Sequence, residues 1–113
     1  MAKIAIPPEQ LEIVAGLFAV LAEPTRLGLL QELRSGPLPV GDLVAALGAK
    51  QANVSKQLGV LFAAGFVSRE RHGNTVRYFI ADPIVFELCE IVCGKLRRDA
   101  ERDYKALGGK VRK

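Results

Sequence analysis

Residues 40–80 read VGDLVAALGAKQANVSKQLGVLFAAGFVSRERHGNTVRYFI, and this stretch decides the fold. Leu43, Val44 and Leu47 recur at helical spacing, so Val40–Leu47 reads as a short helix. Gly48 supplies the left-handed conformation that a tight turn needs. A second helix runs from Gln51 to about Ala64, and Gly65 stops it. The period then changes. Residues 66–71 (FVSRER) and 75–80 (TVRYFI) are rich in β-branched and aromatic residues. His72-Gly73-Asn74 between them predicts a hairpin with a loop of three or four residues.

Two helices joined by a short Gly-containing turn form a helix-turn-helix, and a hairpin directly after the second helix makes its winged version. Working outward, Leu11, Val14, Leu17, Phe18 and Leu21 place a first helix over residues 9–22. Pro24 opens another helix, striped by Leu27, Leu30 and Leu33, which ends at Ser35-Gly36 before Pro37. Asp82-Pro83 predicts the cap and first turn of a last helix over residues 83–106. Gly108-Gly109 ends it, and residues 110–113 form a basic tail. The predicted order is α1-α2-α3-α4-β-β-α5, mainly α with one small hairpin, in a single domain spanning 1–113.

The 113 residues carry 16 Lys and Arg against 12 Asp and Glu, with half of the chain apolar. This is globular composition, which argues against disorder and against a disulfide-rich scaffold. No apolar run approaches the roughly 20 residues of a membrane helix, and the N-terminus lacks a signal-peptide pattern. We therefore expect a reduced, cytoplasmic protein with no membrane partner. The charge is uneven. Residues 50–77 hold Lys50, Lys56, Arg69, Arg71 and Arg77 against only Glu70, an excess of four that equals the net charge of the whole chain. Concentrated positive charge suits a polyanion. One histidine, His72, and no paired-carboxylate, Cys-His or Gly-rich phosphate pattern argue against an enzyme.

At about 100° per residue, Val54, Leu58, Leu61 and Phe62 share one face of the fourth helix. Ala52, Asn53, Lys56, Gly59 and Ala63 share the other, flanked by Gln51 and Ser55. A helix entering a major groove needs small side chains for approach and short polar ones for bases and phosphates. This helix supplies both and carries no acidic residue, whereas an ordinary solvent-facing helix usually carries Glu. The candidate DNA-contacting set is Lys50, Gln51, Asn53, Val54, Ser55, Lys56 and Gln57 of the helix region, with Arg71, His72, Asn74 and Arg77 of the hairpin. Arg71 and Arg77 rank above Arg69 as contacts. The competing reading of the hairpin residues is a solvated edge that discourages pairing.

The stretch from Leu21 to Asp82 resembles the ArsR/SmtB family of winged-helix repressors. The resemblance is carried by LAEPTRLGLL, by VGDLVAALGAKQANVSKQL and by AAGFV followed by RHGNTVRY. It implies a homodimer, paired through helices 1 and 5, that binds operator DNA as a repressor and is released by an inducer, often a metal ion or metalloid. Two-fold symmetry implies two copies of helix 4 about one DNA turn apart. Gln57 stands where the family often has His. The family's two metal sites are broken here. Pro39-Val40-Gly41-Asp42-Leu43 replaces Cys-Val-Cys-Asp-Leu, and Ile84, Lys95 and Arg98 fall where three of the four last-helix zinc ligands belong, Asp82 alone matching.

Cys89 and Cys93 remain, four apart on one face of the last helix. The apolar band of that helix is too wide for one-sided packing and implies a partner chain. Two such pairs meeting across a dimer axis would suit a soft metal or metalloid or sense oxidants by thiol chemistry. The competing reading makes both cysteines small buried apolar residues. Two further readings stay open: a repressor that responds to no signal, and a winged-helix module that binds protein.

Overall fold

Prolines and glycines set the ends of most elements. The computed structural model describes residues 5–108, so the basic tail at 110–113 lies outside the described residues. A 3-10 turn over Pro8–Gln10 leads into α1 (Leu11–Leu21), followed by α2 (Pro24–Leu33). Then come β1 (Leu38–Pro39), α3 (Val40–Leu47), α4 (Gln51–Ala63), β2 (Val67–His72), β3 (Thr75–Ile80) and α5 (Ile84–Ala106). The chain divides into two compact units, Met1–Asp82 and Pro83–Lys113, where the sequence predicts one domain. No single helix among the described residues is long and apolar enough to cross a membrane.

In the first unit, α2 starts with Pro24 at its first position, where the missing N–H costs nothing. Glu23 caps it, its carboxylate accepting from the Arg26 backbone N–H at 2.7 Å. Leu29, Leu30 and Leu33 of α2 are buried with Leu43 of α3 and with Val54, Leu58 and Leu61 of α4. Phe66, Val67 and Tyr78 close this core from the sheet side. Gly48 ends α3 in the left-handed region at φ +60°, which a side chain rarely adopts, and so fixes the turn into α4.

The sheet departs from the expected lone hairpin. It has three strands in the order β1-β3-β2, all antiparallel, with Leu38 opposite Tyr78 and Pro39 opposite Arg77. Pro39 lacks an N–H to donate, which suits the short edge strand it occupies. The β2–β3 connection is two residues, Gly73-Asn74, because His72 and Thr75 are themselves paired. Gly73 takes φ +63° at the first turn position, where a tight hairpin needs glycine.

Two further differences concern helix ends and faces. The last helix begins at Ile84 with Pro83 as its cap residue, one position later than predicted. In α1 no residue is buried, although its apolar residues follow helical spacing. Leu11, Ile13, Leu17 and Phe18 are all exposed. In the second unit, α5 exposes Ile84, Ile91, Val92 and Leu96.

Candidate nucleic-acid interface

The fourth helix is anchored from below. Val54, Leu58 and Leu61 have no exposed surface, and this buried row fixes which face looks outward. Lys50, Gln51, Ala52, Asn53, Ser55, Lys56, Gly59 and Ala63 are exposed. No acidic residue lies in the first turn, and no side chain caps the N-terminus of α4. Its first backbone N–H groups and the positive end of its dipole are thus left for an anion. Chemically, this surface offers two ammonium groups, two amides, a hydroxyl and open N–H donors, the inventory that phosphate and base edges call for.

Two members of the predicted contact set do not lie on this surface. Val54 is fully buried, because the helical period that exposes Asn53 turns it into the core. Gln57 is 8% exposed and points toward α2. Its Oε1 accepts from Arg26 Nη1 at 2.7 Å, and its Nε2 donates to Asn53 Oδ1 at 3.1 Å. Arg26 is the residue of this network that the sequence reading does not single out. It also donates through Nε to Val20 O at 2.6 Å and through Nη2 to Ala19 O at 3.3 Å. One guanidinium therefore satisfies carbonyls of the last turn of α1 and fixes an amide on α4. The lone basic residue of α2, just ahead of its leucine run, was the available signal.

The wing is divided by its register. Glu70 faces Arg77 and His72 faces Thr75, so these share one face of the ribbon. Arg69 faces Tyr78 and Arg71 faces Val76 on the other. Arg71, His72, Asn74 and Arg77 are all exposed. A two-residue turn puts Arg71 and Arg77, both of the predicted contact set, on opposite faces of the ribbon. His72 is also engaged: its Nε2 lies 2.7 Å from Glu70 Oε1 in an exposed pair. Arg69 stacks over the Phe62 ring, 4.3 Å from its centroid, and donates to the Tyr78 hydroxyl at 3.4 Å. It ties β2 to α4.

Cys89 is half-buried and Cys93 exposed, both as free thiols. Within one chain, Cys93 is therefore not packed in the interior. Among the described residues no three His, Cys, Asp or Glu side chains gather to hold a metal. The two thiols of one protomer fall short of the four donors of a tetrahedral zinc site.

A winged helix-turn-helix with an acid-free, outward-facing second helix defines a class of DNA-binding regulators. Residues 23–69 match the family described as "Bacterial regulatory protein, arsR family". The HTH-type transcriptional regulator NmtR of Mycobacterium tuberculosis is 44% identical over 77 residues, 68% of this chain. The match spans 64% of NmtR, just under two thirds of its length. The crystal structure of the AntR antimony-specific transcriptional repressor is 40% identical. It has a TM-score of 0.73, and the match covers 90% of this chain and 92% of that one. The solution structure of the homodimeric winged helix-turn-helix domain of Mb0332 from Mycobacterium bovis, a possible ArsR-family regulator, is 28% identical. Its TM-score is 0.72, with 90% and 95% of the two chains covered. The chain belongs to the ArsR/SmtB family of bacterial transcriptional regulators. These relatives are named as regulators, not enzymes.

Proposed function

We propose that the protein is a homodimeric, cytoplasmic transcriptional repressor that binds double-stranded operator DNA. The observation that carries this reading is the exposed, acid-free face of α4, held outward by the buried Val54, Leu58 and Leu61. Gln51, Asn53 and Ser55 address base edges, while Lys50 and Lys56 address phosphates. Arg71 and Asn74, or Arg77 from the other face of the wing, reach the backbone beside the groove. Homodimerisation is supported by the assembly named for Mb0332 and by the apolar residues that α1 and α5 leave exposed.

Fluorescence anisotropy on DNA from upstream of its own gene tests the repressor. Affinity should fall steeply as salt rises, because phosphate contacts release counterions. Salt-independent or absent binding would instead favour a protein-binding module.

The signal enters through Cys89 and Cys93 of two protomers. Supports are the free thiols four residues apart on α5 and the metalloid specificity named for AntR. A soft metal or metalloid bound there would supply thiolate bonds linking two α5 helices. Replacing both cysteines by serine should leave DNA affinity intact and abolish release by arsenite, antimonite or a mild oxidant. Release that persists in the double variant would remove the thiols as sensor.

A further inference from the structure

The bonds around Gln57 have a consequence for what Asn53 offers a base. A guanidinium can only donate, so Gln57 must turn its Oε1 to Arg26. That forces its Nε2 toward Asn53, and a donor there requires the oxygen of the Asn53 amide. The nitrogen of Asn53 is then turned away from Gln57, on an exposed residue of the outward face of α4. An unconstrained Asn can turn either edge of its amide to a base, and so accommodates either a donor or an acceptor.

We propose that Arg26 and Gln57 form a positioning relay that locks the amide polarity of Asn53, so that this side chain presents its N–H donors to the DNA. The groups it favours are acceptors in the major groove at that point: guanine O6 and N7, thymine O4 or adenine N7. Exposed donors, cytosine N4 and adenine N6, are disfavoured. Arg26 and Gln57 touch no base. They set specificity through Asn53, and this inference rests on the DNA-binding reading above.

Gln57→Glu tests the relay. The carboxylate still accepts from Arg26 but can no longer donate, so Asn53 must turn its nitrogen inward and its oxygen to the groove. The experiment is selection from a random duplex library with the full chain, comparing base preference position by position. Asn53→Ala first identifies the base pair that Asn53 reads, as the one whose preference disappears. At that pair, Gln57→Glu should reverse the preference between guanine, which shows only acceptors there, and cytosine, which shows only a donor, by roughly tenfold, with other positions unchanged. Gln57→Ala, which introduces no buried charge, should flatten it to near equality, because the amide is free to turn. A structural role alone would lower affinity for all sequences and leave the preference in place. The relay is overturned if Asn53→Ala changes no position, or if either Gln57 variant keeps the original preference. Failure of the unaltered protein to select any DNA would overturn the repressor reading as well, and so is distinguishable.

Discussion

Two helices of this protein differ in how their composition relates to their burial. The fourth helix shows a polar face to solvent yet buries Val54, Gln57, Leu58 and Leu61. The last helix has an apolar first half yet buries only Val85 among its 23 residues. Ile91, Val92 and Leu96 of that helix are each more than three-fifths exposed. Exposed apolar area of this kind costs about 25 cal/mol per Å² for as long as it stays wet. The fourth helix is complete within one chain. The last helix, like α1 with its exposed Leu11, Ile13, Leu17 and Phe18, has the composition of a core element without a core. The difference separates a reading head that one protomer can build from surfaces that a second protomer would complete.

The underside of α4 carries the largest expected effect. Leu58 is fully buried in the centre of that row. Leu58→Ala should cost about 2–5 kcal/mol by the lost transfer energy and the cavity left behind. Urea denaturation at fixed protein concentration reads it, since a dimer's stability depends on concentration. A loss below 1 kcal/mol would mean that α4 is not self-sufficiently anchored, and the comparison would collapse.

The exposed face of α5 should respond in the opposite way. Ile91 is 67% exposed, so Ile91→Glu removes almost nothing from the interior of one chain. If that face is covered by a second copy, a charge there leaves the monomer folded and breaks the pair. Sedimentation equilibrium should show monomers. Affinity for a palindromic operator should drop about a hundredfold as the second binding event loses its tether. A variant that stays dimeric would place the interface elsewhere.

Lys56 probes the same contrast from the outward side of α4. Lys56→Ala should leave the melting transition within about 0.5 kcal/mol of the unaltered protein. It should also lower DNA affinity across all sequences and reduce the slope of log K against log salt by about one for each protomer. An unchanged slope would remove Lys56 from the phosphate contacts.

The sequence was legible where a period repeats long enough to be read. The span of α4, its outward face and the Pro24 start of α2 all follow from spacing and punctuation. The third strand was not legible, because Leu38-Pro39 is too short to alternate and lies among prolines. The division of the wing was hidden by one loop residue: taking His72 into the turn rather than pairing it with Thr75 leaves open which arginines share a face. Gln57 was misplaced because residue type outweighed position. It follows Val54 by one turn and precedes Leu61 by another, which puts it at the edge of the buried stripe. Its partner Arg26 lies 31 residues away, and pairing over that distance is set by packing, which no local pattern records.

The smallest effect belongs to the charged half of α5, and it decides what holds that helix. Lys95 pairs with Asp99 one turn on, and Arg102 lies 3.3 Å from the same carboxylate. Lys95 is 68% exposed and Arg102 71%, so both are well screened by water and salt. Removing Lys95 leaves Asp99 its second cation. Lys95→Ala should therefore shift stability by less than about 0.5 kcal/mol and leave the sedimentation behaviour unchanged. If it dissociates the dimer as Ile91→Glu is expected to, the pairing would be electrostatic rather than apolar. Raising salt would then separate the protomers, whereas an apolar interface tightens under the same treatment.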